Sequence, residues 1–342
     1  THGIGDVLLC VPAFRALRRA FPRARVEVLL RGPVQAEVLR GQGLGFAETH
    51  MRALRRRPGG LLRAVARWRR RGVDLALSTY NVNAWRAALL ALAAGARRRV
   101  GFALPRQRVP FSRCLAPSGQ HKVQENLRLV EAVAGPCLAE EPSWRVLPDE
   151  RQWAQRRLAE AGLEGGRRLL ALTPGCTPHE AHKRWPAELY AEALGWLDGP
   201  EGLDVLLLGG PGEEPLGEAV VRAAPAGVRV TDLIGQLTLR QTAAVMARCG
   251  LVLGGDCGLT HVAAALGVPC LVLVGPTRPE LTAPRGPRVR VLVSPHSCLR
   301  CYGESMRIRR DCASPECMRA LSPRRVAEEA GRMLRAAAGV AG

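Results

Sequence analysis

The sequence predicts an α/β fold built from two parallel sheets with crossover helices, and three observations carry that expectation. Short β-rich runs alternate with longer helical periods along the chain. The strand runs are continuously apolar, as strands covered on both faces are. At 342 residues with 47% apolar content, the chain is long enough for two cores.

Taken in order, a helical period over 8–20 precedes the candidate strand RVEVLL (25–30), and one over 60–71 precedes VDLALST (73–79). The second half supplies RLLALTPG (168–175), LDVLLLGG (203–210), VRVTDLI (228–234), LVLGGD (251–256), CLVLVGP (270–276) and VRVLVS (289–294). Helical periods over 185–197, 239–248 and 259–266 lie between them, and the amphipathic PRRVAEEAGRMLRAA closes the chain. In EEPSWRVLPDERQWAQRRLAEAGLEGG (140–166), two prolines precede a polar helix and a glycine pair precedes a fresh strand. That segment sets the expected domains at 1–160 and 161–342. The opening GIGD should follow a strand, yet nothing stands before Thr1, so the numbered chain is expected to have lost its first strand.

Fifty Lys and Arg against thirty Asp and Glu give a net charge of +20, carried almost wholly by arginine. Such an excess favours polyanionic partners: nucleic acid, anionic lipid or phosphorylated substrates. With 4% aromatic residues and no nucleic-acid module, nucleic acid is excluded as the expected partner. The longest apolar stretch, AALLALAAGA (87–96), is flanked by Arg86 and Arg97 and is too short to span a bilayer. No signal peptide is visible, and a soluble, cytoplasmic protein is expected. Of eleven cysteines, seven are scattered singly through apolar segments, which fits a reducing compartment.

In GIGDVLLCVPAF, a glycine turn and a helix whose first turn carries Asp6 would place backbone N–H groups and one carboxylate at the carboxyl edge of a parallel sheet, where ligands bind. A dinucleotide site is disfavoured, because GxGxxG needs a small residue where Leu8 stands and RVEVLL ends in Arg31 rather than an acid. Alternatively, the glycines only turn the chain and Asp6 caps the helix. TPGCTPHEAHKRWP puts a Gly/Thr-rich loop after a strand, then Lys183 just before Trp185 and Pro186. Free amides beside a lysine are what a pyrophosphate needs. LVLGGDCGLTHVAAALGVP then supplies a strand, an acid at Asp256, a Cys-Gly turn and a helix bearing His261. By itself this is a glycine elbow with a capping aspartate, and His261 alone would more often be core packing than a ligand.

GIGDVLLCVPAFRALRRAFP, PGCTPHEAHKRWP, LLLGGPGEE and GGDCGLTHVAAALGVPCLVLVGPT, in this order and spacing, resemble the ADP-heptose:lipopolysaccharide heptosyltransferases of glycosyltransferase family 9. The resemblance runs over essentially the whole chain. It implies a GT-B fold: two Rossmann-like domains with parallel sheets facing across a cleft, the acceptor held by the first and the nucleotide sugar by the second. It implies transfer of heptose from ADP-heptose to the inner core of lipopolysaccharide, with inversion and without a catalytic metal. The acceptor would be an anionic glycolipid of the lipid A/Kdo type, reached from the cytoplasm with peripheral contact at the inner membrane surface.

By the same resemblance, Asp6 matches the general base, Lys183 the donor-phosphate lysine, and Asp256, Gly258 and His261 the donor-binding turn and helix. Thr177 falls in the phosphate loop, Leu237 where an apolar residue abuts the adenine, and Glu213 or Glu214 within reach of the donor ribose. Cys257 departs from the family, in which a serine or threonine is usual, and a thiol is a weaker hydrogen-bond donor to a pyrophosphate. The chemistry is coherent on its own terms. A carboxylate within about 3 Å of an acceptor hydroxyl can take its proton as the glycosidic bond breaks. A lysine and helix-start amides stabilise the charge that develops on departing ADP.

In RRPGGLLRAVARWRRRG, Arg56, Arg63, Arg67 and Arg70 are spaced to share one helical face, a patch suited to an anionic acceptor or simply a solvated surface. The late cysteines Cys298, Cys301, Cys312 and Cys317 open with CxxC and can hold a structural zinc or iron–sulfur cluster; free thiols or a redox-made bridge are the alternatives. Two further functions stay open: a GT-B transferase with another nucleotide sugar or lipid-linked glycan, and a catalytically silent binder of sugar nucleotides or polyanions.

Overall fold

The computed structural model describes residues 3–80, 82–104, 106–107, 109–163, 168–197, 202–296, 301, 312 and 315–339. The chain divides into two compact units, Thr1–Pro142 and Ser143–Gly342.

The first unit runs α1 (Ile4–Leu8), α2 (Val11–Ala20), β1 (Glu27–Leu30), α3 (Pro33–Glu37), β2 (Ala47–His50), α4 (Met51–Arg56), α5 (Gly60–Arg71), β3 (Leu75–Ser78), α6 (Ala84–Ala93), β4 (Arg98–Phe102), β5 (Arg113–Leu115) and α7 (Lys122–Ala134). Among the described residues β1 pairs with β2, and β3, β4 and β5 form a second sheet, every pairing parallel. Leu9, Ala13 and Ala16 pack against Val123, Leu127 and Val130, a stripe on α7 at helical spacing. That packing sets α7 beside the α1 turn.

The second unit runs α8 (Pro148–Glu160), β6 (Arg168–Thr173), a 3-10 turn (Pro178–Lys183), α9 (Ala187–Leu197), β7 (Leu203–Leu207), α10 (Glu214–Ala223), β8 (Arg229–Asp232), α11 (Leu239–Met246), β9 (Leu251–Gly255), α12 (Gly258–Leu266), β10 (Cys270–Val274), α13 (Pro279–Thr282), β11 (Val289–Val293), α14 (Glu316–Arg319) and α15 (Pro323–Gly339). Six described strands make one parallel sheet in the order β11, β10, β9, β6, β7, β8. Every residue of β7, β9 and β10 is buried, which is why these segments read as apolar runs, broken only in β7 by Asp204, whose carboxylate is paired with Arg229 of β8. Leu172, Leu253 and Leu273 on the strands share a core with Tyr190 and Leu194 of α9 and with Val326, Ala330 and Leu334 of α15.

The division after Pro142 falls within the 140–166 segment, ahead of the 160/161 boundary drawn from sequence, and side chains explain its position. Arg240, on α11 and only 4% exposed, lies 4.9 Å over the Trp144 ring. Its Nη2 donates to the Arg145 carbonyl at 2.8 Å and to Glu150 Oε2 at 2.6 Å. The Trp144 N–H donates to the Ala265 carbonyl at the end of α12. Residues 143–160 are thereby fastened to the second unit.

Candidate active site

In the second unit all six strands run the same way, so the segments after β6, β7, β9 and β10 emerge at one edge, the usual ligand edge of a parallel sheet. Glycines let these segments close on one another. A Cβ on Gly254 would lie 1.8 Å from Thr173 Oγ1, and one on Gly255 3.0 Å from the Lys183 carbonyl. A Cβ on Gly175 would meet the Glu213 carboxyl at 2.3 Å.

Lys183 ends the 3-10 turn, and its Nζ is 2.9 Å from Glu180 Oε1. Glu180 Oε2 accepts a hydrogen bond of 2.9 Å from Thr177 Oγ1, so one carboxylate ties Thr177 and Lys183 together. Glu180 is a further residue of this site, and its signal in the sequence is an acid three residues before a lysine in a helical turn. Asp256 follows β9 and is buried, with His261 Nε2 3.6 Å from its Oδ1. Burial opposes its charge, yet His261 and the Lys183 ammonium hold its carboxyl well below the usual carboxylate range. Asp256, Lys183 and His261 thus form one electrostatic group.

Cys257 is the N-cap of α12, and its N–H donates to Thr260 Oγ1 at 3.3 Å. Gly258 opens the helix. Burial pushes the Cys257 thiol up, so the side chain offers a neutral S–H, 3.8 Å from Thr173 Oγ1. Glu213 Oε2 accepts the Gly210 N–H at 2.8 Å, and Glu214 Oε2 the Gly212 N–H at 2.7 Å. Burial pushes the Glu213 carboxyl up, against the Gly210 bond and the nearby Arg184 guanidinium. Arg184, a further residue of the site, donates from Nη2 to the Cys176 carbonyl at 2.9 Å and so braces the loop. Leu237 is half-buried in the turn before α11.

In the first unit, Asp6 lies in α1, where its Oδ2 accepts the Gly3 N–H at 3.0 Å. Its Oδ1 is 2.9 Å from Lys122 Nζ, the side chains being 27% and 10% exposed. Lys122 opens α7, a helix that pins loops through three residues on one face. Asn126 Oδ1 accepts the Tyr80 N–H at 2.9 Å, after β3. Glu125, fully buried, accepts from the Ser118 N–H at 2.6 Å and hydroxyl at 2.9 Å, after β5. Polar residues at i, i+3 and i+4 among the apolar positions of KVQENLRLV were the available signal.

The arginine face requires correction. Arg56 ends α4, the chain turns through Gly59 at φ +65°, and α5 begins at Gly60, so Arg56 does not share a helix with Arg63, Arg67 and Arg70. Arg67 is engaged by its own unit: its Nη2 lies 3.2 Å from Glu27 Oε1, which also accepts from Trp68 Nε1 at 3.0 Å. Arg63 and Arg70 are exposed. Arg56 instead lines a cavity of about 420 Å³ with His50, Arg52 and Arg57, at the end of β2.

Among the late cysteines, Cys298 lies outside the described residues. Cys301 is half-buried and Cys312 exposed, whereas Cys317 is buried in the core at the start of α14. A Cβ on Gly275 would meet its Sγ at 2.8 Å. Among the described residues no group of three or more His, Cys, Asp or Glu side chains is arranged to hold a metal ion. No helix among them is long and apolar enough to cross a membrane.

Comparison with known proteins adds to this geometry. The family pattern "Glycosyltransferase family 9 (heptosyltransferase)" matches residues 63–310. The chain is 33% identical over 135 residues to lipooligosaccharide heptosyltransferase 2 of Haemophilus influenzae, a stretch covering 39% of this chain and 38% of that protein. Against the curated relatives first matched, the chain spans only 38–44% of their length. The solved structure of E. coli ADP-heptose lps heptosyltransferase II superposes with a TM-score of 0.76 at 22% identity, covering 98% of this chain and 97% of that one. E. coli heptosyltransferase WaaC with ADP gives 0.69 at 20% identity, covering 97% and 98%. These likenesses show the fold, GT-B with two Rossmann-like units.

Proposed function

The chain belongs to glycosyltransferase family 9, and from that premise we propose that it is an inverting glycosyltransferase moving heptose from ADP-heptose to the inner core of lipopolysaccharide. One observation carries the reading most directly: Lys183, Asp256, His261 and the start of α12 gather at the ligand edge of the second sheet. Lys183 and the positive dipole end of α12 supply the positive potential that a departing diphosphate needs, so the reading assigns no metal to the reaction. The similar E. coli protein solved with ADP supports a nucleoside diphosphate as the ligand. In the loaded site the Thr177 hydroxyl turns from Glu180 to donate to the diphosphate beside Lys183, Leu237 abuts the adenine, and Glu213 serves the ribose side.

Asp6 is the general base. The Gly3 N–H and the Lys122 ammonium hold the carboxylate in place, and it takes the proton of an acceptor hydroxyl. The hydroxyl oxygen bonds to the anomeric carbon as the bond to ADP breaks, and its proton passes to Asp6. One displacement with one base inverts the configuration, so no second carboxylate is called for. The acceptor is an anionic glycolipid. The cavity of His50, Arg52, Arg56 and Arg57 suits its phosphate or carboxylate groups better than the α5 face, because Arg67 is already paired. The enzyme would work in the cytoplasm, in peripheral contact with the inner membrane surface. The metal expectation at the late cysteines is not part of this proposal, since Cys317 packs into the core.

The test is incubation of the full chain with ADP-heptose and truncated core acceptors, with products weighed by mass spectrometry. A product heavier by one heptose supports the reading. ADP binding without a product from any acceptor would favour the silent binder, and transfer only from another nucleotide sugar would reassign the donor.

A further inference from the structure

Helix α6 carries three of its four large apolar side chains outward, while Leu90 packs inward beside Ala64 and Trp68. Its sequence, AWRAALLALA, buries small residues: Ala88 is fully buried, and Ala84 packs with it against Ala103, Val109 and Phe111. The bulky Trp85, Leu89 and Leu92, at i, i+4 and i+7 on one face, are 47%, 51% and 48% exposed. A globular helix ordinarily does the reverse, and a contiguous outward stripe of this kind marks a binding surface.

The stripe is bordered by cations. Arg86 is exposed on α6 itself. Arg69 of α5 reaches the far end of the helix, where its Nη1 is 3.4 Å from the Ala93 carbonyl. Exposed Arg97, whose Nη1 is 3.3 Å from the equally exposed Asp74 Oδ1, and exposed Arg98 follow directly. The charge of the chain is concentrated in the same unit: residues 1–142 hold 25 Lys and Arg against 9 Asp and Glu, while residues 143–342 hold 25 against 21. A Trp/Leu stripe edged by arginines, on a body of net charge +16, has the composition of a surface that lies in a lipid headgroup layer.

We propose that the outer face of α6 docks the first unit on an anionic bilayer surface, Trp85, Leu89 and Leu92 entering the headgroup region while Arg69, Arg86, Arg97 and Arg98 meet lipid phosphates. Charge complementarity selects lipid over a second copy of this chain, since two surfaces of this sign repel each other. The proposal extends the lipid-linked acceptor reading, but its test reads vesicle binding and needs no turnover, so either can fail alone.

The experiment is co-sedimentation of the full chain with vesicles of equimolar phosphatidylglycerol and phosphatidylcholine, and with phosphatidylcholine alone. The parent should bind the anionic vesicles and release them in high salt. A Leu89→Gln/Leu92→Gln variant should bind at least about tenfold more weakly, as expected when two leucine side chains no longer leave water, with its ADP affinity unchanged. In the parent, vesicles should shift tryptophan emission to the blue, and Trp85→Phe should abolish the shift. Absent binding, equal binding to neutral vesicles, or binding unaltered in the Leu89→Gln/Leu92→Gln variant would overturn the proposal. So would a parent dimer that this variant dissociates, because the stripe would then be covered by a second copy.

Discussion

Lys122 Nζ stands 2.9 Å from Asp6 Oδ1, so a carboxylate near the head of the chain is held by the first residue of a helix 116 positions later. A buried lysine is costly unless paired, which makes this contact the reason Lys122 is tolerated at 8% exposure. If Asp6 is the base, Asp6→Asn should lower kcat by about 100-fold or more and leave ADP affinity unchanged. Lys122→Met, which removes the ammonium but leaves the Gly3 N–H on the carboxylate, should cost about tenfold in kcat, partly restored by Lys122→Arg. Steady-state assays of ADP release read both, and a Lys122→Met enzyme matching the parent would deny the contact a positioning role.

Lys183 is bound to the same carboxylate as Thr177. Lys183→Ala should weaken ADP binding about tenfold or more and lower turnover with it, while Lys183→Arg should recover only part, a planar fork replacing a compact charge. Calorimetric titration with ADP decides this, and unchanged affinity in Lys183→Ala would leave the lysine as a brace for the loop alone.

Glu213 sets a pH dependence whose sign is fixed by its burial. Its carboxyl sits above the ordinary 4.5, so the folded chain holds that proton to higher pH than the unfolded chain does. As pH rises from 4.5 through the raised value, the parent therefore loses stability relative to a neutral amide, and above that window the loss is constant. The melting temperature of Glu213→Gln minus that of the parent should climb with pH across the window and then level off. A flat difference would show that the carboxyl ionises as it does in the unfolded chain.

Gly254→Ala should destabilise the second unit by about 1–3 kcal/mol, since the added methyl meets Thr173 Oγ1 and the Thr173 carbonyl on the adjoining strand. Thermal unfolding measures the loss, and Thr173→Ala in the same chain should return part of it. A melting temperature equal to that of the parent would mean that β6 and β9 part easily.

All eight strands expected from the sequence are present, as β1, β3 and β6 to β11: β7, β9 and β10 are buried throughout, and the others keep enough apolar or β-branched residues to be read as strands although some of their residues are exposed. The strands that escaped notice lack that signature. Strand β4 begins RRV, with Arg98 exposed and Arg99 half-buried, β5 is the three residues RCL, and β2 is AETH. Their pairing comes from neighbouring strands, which no local pattern records. Of the site, Asp256, Cys257 and His261 were legible because a strand, a glycine pair and a helix start follow in order. Lys122 was not, because its partner is remote in sequence. The arginine face failed at Gly59, where spacing alone suggested a continuous helix and a left-handed turn divides it.

The clamp of Arg240 on Trp144 and Glu150 has a consequence for dissecting the gene. A C-terminal fragment beginning at 161 would keep the guanidinium at its buried place on α11 and discard the ring and the carboxylate that receive it. A buried cation without its carboxylate is among the most damaging single defects a domain can carry, costing about 3–5 kcal/mol. Cutting after Pro142 instead carries the ring, the carboxylate and the N–H that meets Ala265 along with the fragment. The autonomous piece of this protein is thus defined by the residue that closes over Arg240, and a shuffled or fused version should be joined ahead of Ser143.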